Sequence, residues 1–232
     1  MTAAEITAYL KTQGSRANVE GMAKFGISSK DTLGVSMPVL RKLGRSIGKD
    51  HQIALDLFDS GIHEARILAA LVDDPKLVTE GQMETWVKHF DSWDVADQVC
   101  TILFDKTRHA WKKAAAWADR EKEYEKRAAY SLMAGLAVHD RGAANEQYER
   151  LLPFILRGAT DGRNYVKKAV SWALRAIGKR NAALCKSALS TAKNMSKLES
   201  KSAKWVASDA IRELTSVRAG KKTTSPKRGG RR

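Results

Sequence analysis

Trp93 and Asp97 stand four residues apart in a segment whose apolar spacing predicts an α-helix. Side chains at that spacing lie on one face of a helix, one turn apart. An unpaired carboxylate is costly to bury, so a packed inner face rarely carries one. A flat indole beside a single anion suits the capture of something flat and cationic.

The net charge of the 232-residue chain is +15, which favours a polyanionic partner such as nucleic acid. Residues 218–232 hold seven Lys and Arg and no acid, so residues 1–217 carry +8. We expect 218–232 to be a disordered basic tail because residues 220–232 include no apolar residue to bury. A phosphate-binding arm and a solubilising tail are equally consistent with this composition.

Other chemistry is poorly supported by the sequence. The two cysteines, Cys100 and Cys185, lie in apolar helical pattern, which favours a reducing cytoplasm over a disulfide framework. The five histidines are scattered without metal-ligand spacing, and no glycine-rich nucleotide loop occurs. No run of about twenty apolar residues predicts a membrane span. We therefore expect a protein that needs no metal or cofactor and has no membrane contact.

Helical periodicity recurs along the chain, while strand signals are nearly absent. The predicted helices are 3–13, 16–25, 38–48, 50–59, 62–73, 79–89, 93–104, 108–118, 123–138, 144–157, 163–178, 180–193 and 199–217. A weak repeat of about 30 to 40 residues aligns the helices that begin near 63, 93, 124, 163 and 202. The sequence thus predicts an all-α superhelix (solenoid) of HEAT-like helical hairpins, forming one domain over 1–217.

In such arrays one helix of each hairpin lines the concave face. The polar and aromatic residues on the predicted lining helices are mostly basic, and they include Arg66, Trp93, Asp97, Lys126, Arg127, Lys167, Lys168, Trp172 and Arg175. A basic groove with interleaved aromatics is typical of a DNA-binding surface. The remaining tryptophans, Trp86, Trp111, Trp117 and Trp205, are predicted to be packing residues.

Three motifs in order resemble the AlkD-like DNA alkylation repair glycosylases. The first, in residues 33–43, is Gly-Val-x-x-Pro-x-Leu-Arg-Lys, and the second is Trp93-x-x-x-Asp97. The third, Ser-Trp-Ala-Leu-Arg, ends at Arg175, and the resemblance extends over most of residues 16–215. It implies hydrolytic excision of cationic N3- and N7-alkylated purines from double-stranded DNA, without extrusion of the base into a pocket.

The resemblance also implies roles for single residues. Asp97 matches a carboxylate that stabilises the sugar cation as the base departs, and Trp93 and Trp172 match aromatic walls. Arg127 matches a phosphate-contacting arginine. A further aromatic wall has no clear counterpart near the N-terminus, where Phe25 is the candidate substitute.

These observations leave two functions open. One is a monofunctional DNA glycosylase, acting as a monomer in the cytoplasm. The other is a non-catalytic helical-repeat protein that binds damaged or branched DNA, because relatives of this kind exist and the N-terminal wall is uncertain.

Overall fold

The computed structural model describes the backbone of residues 1–223 and the side chains of residues 1–216. The described backbone contains helices and no strands, and its longest connection between helices is 24–36. The α-helices are α1 (Ala3–Thr12), α2 (Arg16–Ala23), α3 (Met37–Ile47), α4 (His51–Asp59), α5 (His63–Val72), α6 (Glu80–Lys88), α7 (Trp93–Ile102), α8 (Ala110–Trp117), α9 (Glu123–His139), α10 (Asn145–Glu149), α11 (Leu152–Gly158), α12 (Asn164–Lys179), α13 (Ala182–Ser196) and α14 (Lys201–Thr223). A 3-10 turn, Phe104–Lys106, follows α7.

The helix predictions hold with one clear exception. The predicted segment 144–157 is two helices, α10 and α11, separated at Arg150 and Leu151. Pro153 lies in the first turn of α11, where its missing N–H does no harm. A helix continuing through this proline would lose a hydrogen bond and clash with the preceding turn, so a new helix begins instead.

The described residues form two compact units, one that ends at Asp140 and one that begins at Arg141. The assignment of 1–217 to one domain stays a prediction. The predicted basic tail, 218–232, begins within α14, and its residues 224–232 lie outside the described part of the chain.

Large aromatic residues build the core of the first unit. The rings of Phe58 and Trp86 stack with centroids 4.0 Å apart, and Phe104 lies 5.9 Å from Trp86 and 6.2 Å from Trp117. Trp86 and Trp117 are almost completely buried, which confirms the prediction that they are packing residues. Around this core, α7 packs against both α5 and α9. That arrangement fixes the positions of the side chains on the inner face of α7.

The second unit packs α12 against α13 and α14. Its buried positions are mainly small or aliphatic, among them Ala169, Val170, Ala173 and Ala207. Small residues allow helix axes to approach closely, which brings polar side chains at the helix edges within hydrogen-bonding reach. Across the described residues of both units, no helix combines the length and apolar character that crossing a membrane requires.

Candidate active site

Helices α7 and α9 bring three of the predicted site residues together in the first unit. Trp93 is the first residue of α7, and Asp97 follows one turn later on the same face. Arg127 lies in the first half of α9, on the side that packs against α7. The predicted indole, carboxylate and guanidinium therefore form one cluster.

A two-point ion pair joins Asp97 to Arg127. Arg127 Nε donates to Asp97 Oδ1 at 2.9 Å, and the second nitrogen, Nη2, donates to Oδ2 at 2.7 Å. The Asp97 and Arg127 side chains are only 14% and 7% exposed. Parallel N–H···O⁻ bonds of this kind are the strong, geometrically specific form of an arginine–carboxylate contact.

Ser131 completes the surroundings of the carboxylate. It is fully buried, one turn after Arg127 on α9, and its hydroxyl donates to Asp97 Oδ1 at 2.5 Å. Oδ1 thus accepts two hydrogen bonds, which uses both of its lone pairs. Oδ2 accepts one bond from Arg127 and retains capacity for a donor from a substrate or water.

Trp93 connects this cluster to the N-terminal helices. Its ring centroid lies 5.7 Å from the Arg127 guanidinium carbon, within the range of a cation–π contact. The indole N–H donates to the carbonyl oxygen of Phe25 at 3.0 Å. The Phe25 side chain is 70% exposed, and its role as the N-terminal aromatic wall stays a prediction.

A cavity of about 670 Å³ opens beside these two aromatic residues. Its walls are mostly apolar, with Phe25, Trp93 and the methionines Met22 and Met37 among them. The polar lining includes a carboxylate, Asp94. A cavity of this size with a few convergent polar groups is typical of a ligand site.

A second buried ion pair, His63 with Asp94, lines the same cavity. His63 Nε2 lies 2.9 Å from Asp94 Oδ2. Burial alone would lower the pKa of His63, but the hydrogen bond and charge of Asp94, with Glu64 and Asp91 nearby, raise it above its ordinary value. Burial opposes ionisation of Asp94 as well, yet the His63 contact lowers its pKa. Both shifts favour the charged pair.

Glu64 ties the first sequence motif to α5. Its buried carboxylate accepts the backbone N–H groups of Leu33, Gly34 and Val35 at 2.9, 2.6 and 3.2 Å. Gly34 has φ +78°, and a Cβ there would lie 2.3 Å from the carbonyl oxygen of Ser15. Only glycine fits this position. The Gly-Val element therefore holds the loop that ends at α3 against the cavity wall.

Arg66 and Lys126 of the first unit were both predicted to contact DNA, and they differ in exposure. Arg66 is buried, and it donates to Asp91 at 2.9 Å and lies 5.4 Å from the Phe58 ring centroid. Its guanidinium serves internal packing in this structure, and the phosphate contact stays a prediction. Lys126, next to Arg127 on α9, is half-buried.

The other predicted site residues belong to the second unit, on α12. Trp172 is half-buried and Lys168, one turn earlier, is exposed. Arg175 is engaged with acids of α14, with Nε 3.4 Å from Asp209 and a close contact to Glu213. The structure therefore pairs Arg175 internally.

The prediction that Trp205 is a packing residue is wrong, because 41% of its surface is exposed. The Lys167 ammonium lies 5.3 Å from the centre of its ring.

Charge is distributed unequally between the two units. Met1–Asp140 has 19 Lys and Arg against 20 Asp and Glu, whereas the rest of the chain has 22 against 6. The excess positive charge of the protein thus belongs to residues 141–232. Long-range attraction of a polyanion must come mainly from there.

The sequence did not predict the Ser131–Asp97 hydrogen bond or the His63–Asp94 pair. Both are contacts between helices about thirty residues apart, and only the helical repeat gave a signal for them. Within the described residues, no three His, Cys, Asp or Glu side chains gather so that they could hold a metal ion.

Comparison with known proteins places this geometry in a family. No curated protein matches the sequence. One similar solved structure has a TM-score of 0.79 at 18% identity, covering 95% of this chain and 97% of its own. It is described as representing a new family of proteins related to the HEAT-like repeat DNA glycosylases, with affinity for branched DNA structures. The likeness shows that the fold is of the HEAT-like repeat type, as the sequence predicted. The profile of a family described as DNA alkylation repair enzyme matches residues 6–214, and this chain belongs to that family.

Proposed function

We propose that the protein is a DNA glycosylase that hydrolytically removes cationic N3- and N7-alkylated purines from double-stranded DNA. Membership of the DNA alkylation repair family supports this function. The observation that carries it is the cluster of Trp93, Asp97 and Arg127. Of these three residues, Trp93 also lines the mostly apolar cavity. The cluster combines a flat apolar surface, an anion and a phosphate-binding group within one site.

The chemistry requires an anion near the breaking bond. When the bond between C1′ and the purine nitrogen breaks, its electron pair moves to the base and neutralises the positive charge there. The sugar becomes an oxocarbenium-like cation, which a nearby carboxylate stabilises electrostatically. Water then forms the new bond to C1′ and releases its proton to solvent. In this proposal Asp97 stabilises the cation and orients the water through Oδ2.

Arg127 has two alternative anionic partners in this mechanism. Without DNA it neutralises Asp97 through the two-point pair. A DNA phosphate offers the same pair of oxygens to a guanidinium. A phosphate that takes over one or both of these bonds would leave Asp97 with a net negative charge when the substrate is bound.

The second unit contributes the phosphate attraction in this proposal. Lys167, Lys168 and Trp172 lie on α12, in the part of the chain that holds the positive excess. Lysines act here as charges that neutralise backbone phosphates without reading sequence. Trp172 is proposed as a wall against sugar and phosphate.

A non-catalytic DNA-binding function is the alternative. It is favoured by the occupancy of the Asp97 carboxylate, which accepts three hydrogen bonds from Arg127 and Ser131. In this alternative the Asp97 carboxylate has a structural role and joins α7 to α9. The printed description of the similar solved structure, with affinity for branched DNA, is compatible with that function.

Release of methylated base from alkylated duplex DNA separates the two functions. Wild-type protein should free 3-methyladenine or 7-methylguanine, and Asp97→Asn should reduce the rate about 100-fold or more, as for removal of an electrostatic transition-state contact. Asp59→Asn, an exposed acid at the end of α4, is the matched control and should keep full activity.

Folding must be checked alongside activity because Asp97→Asn leaves a buried arginine poorly compensated. Circular dichroism at the assay temperature shows whether the variant is native. Equal release by a folded Asp97→Asn variant would remove Asp97 from the mechanism. Absence of release by wild type, together with tight binding to DNA, would establish the alternative.

A further inference from the structure

The exposed face of α14 presents an indole in a polar setting. Trp205 is 41% exposed, and the Lys167 ammonium of α12 lies over its ring at 5.3 Å. This contact leaves part of the aromatic surface open to solvent. Neither the candidate active site nor the family motifs include Trp205, so its exposure has no explanation in the proposed glycosylase mechanism.

The neighbours of Trp205 on this face are basic or small. Lys201, Trp205, Ser208 and Arg212 follow at intervals of four, three and four residues, so they form one stripe along α14. All four are exposed. Asp209 lies beside the stripe, but it accepts a hydrogen bond from Ser171 of α12 and pairs with Arg212. The stripe itself contains no acid.

The chemistry of this stripe fits unpaired nucleotides better than a protein helix. A docking helix needs a contiguous apolar face, and the residues one turn before and after Trp205 are polar. An indole beside lysines provides a stacking surface for a base together with cations for the adjoining phosphates. The described part of the second unit, 141–216, supports such a partner with 15 Lys and Arg against 6 Asp and Glu.

We propose that Lys167 and the stripe of Lys201, Trp205, Ser208 and Arg212 bind unpaired nucleotides of DNA. In this proposal one base stacks on the Trp205 indole. Base faces inside a duplex are covered by their neighbours, so this site discriminates in favour of gaps, forks and single strands. The proposal rests on the DNA binding assumed in the proposed function. It extends that function by naming a second contact, which holds unpaired DNA independently of base excision.

Binding of unmodified DNA tests the site without reference to catalysis. Fluorescence anisotropy would measure the dissociation constants of a thymidine single strand, a gapped duplex and a fully paired duplex. We expect Trp205→Ala to weaken binding to the first two about tenfold, as for loss of one base–aromatic stack. Binding to the paired duplex should change less than about twofold. Trp205→Phe should keep most of the preference, and Tyr9→Ala, which removes a similarly exposed aromatic (44%) from the first unit, should have no effect.

A direct probe of stacking makes the result independent of affinity. With 2-aminopurine at the unpaired position, wild-type protein should quench its fluorescence at saturation, and Trp205→Ala should not. Equal losses on paired and unpaired DNA, or quenching that survives in Trp205→Ala, would overturn the proposal. Methylated-base release is measured separately, so a binding-competent protein without glycosylase activity refutes the proposed function while leaving this site intact.

Discussion

Replacing Arg127 by methionine should destabilise the protein by about 3–5 kcal/mol, the cost of breaking a buried ion pair by removing one partner. Arg127 donates both hydrogen bonds of the two-point contact to Asp97. The two side chains are 7% and 14% exposed, so water can replace little of the lost interaction. After the substitution only Ser131 still donates to the carboxylate. Methionine keeps most of the apolar stem, which isolates the loss of charge.

A double-mutant cycle separates the pair from its parts. Asp97→Leu combined with Arg127→Met removes both charges, so we expect it to cost less than the sum of the single changes by about 2–3 kcal/mol. Urea unfolding followed by circular dichroism gives the free energies. Arg41→Met, at an exposed position on α3, is the control and should stay within about 0.5 kcal/mol of wild type. A cost below about 1 kcal/mol for Arg127→Met, or strict additivity, would refute this account of the pair.

Three further predictions concern the loop, the histidine pair and the basic unit. Gly34→Ala should lower the free energy of unfolding by more than about 1 kcal/mol, since φ is +78° and the new Cβ would meet the Ser15 carbonyl; urea unfolding near the wild-type midpoint would contradict this. His63 has a raised pKa, so its contribution to stability is complete below about pH 6.5 and is lost as pH rises through the folded-state pKa. The stability advantage of wild type over His63→Gln should therefore shrink with rising pH, and a constant difference would argue against a charged pair. Replacing Lys167 and Lys168 by glutamine should reduce the slope of log affinity for duplex DNA against log salt by about 2, and an unchanged slope would remove them from phosphate contact.

Helices were predictable because apolar residues recur with helical spacing throughout the chain. The break between α10 and α11 was missed because Tyr148, Leu152 and Ile155 continue that spacing across it. All three are buried, so the core pattern persists across the residues at which the helix is interrupted. Pro153 was the only local sign of the break, and proline is also compatible with the first turn of a new helix.

The sequence predicted which site residues share a face of one helix, but it did not predict the contacts between helices. Trp93 and Asp97 are one turn apart, so their common face follows from spacing alone. The contacts of Asp97 with Arg127 and Ser131 depend on how α7 packs against α9, which local spacing does not determine. Trp205 is a different case, because its polar neighbours Lys201, Ser208 and Arg212 already indicated an exposed face.

The Asp97–Arg127 pair reconciles a buried carboxylate with a polyanionic substrate. A lone anion would repel DNA and would be costly to bury, whereas the Asp97–Arg127 pair has no net charge and leaves neither charge unpaired. Only an anion that engages Arg127, such as a DNA phosphate, leaves Asp97 able to stabilise a sugar cation. A glycosylase that works in this way needs Arg127 for catalysis as well as for stability. In a non-catalytic binder the same arginine matters for stability and affinity alone. Base release by wild type and by a folded Arg127 variant, both at saturating DNA, therefore separates the two functions. The enzyme should release base as wild type and lose this activity in the variant while still bound to DNA, whereas the non-catalytic binder should release none in either form.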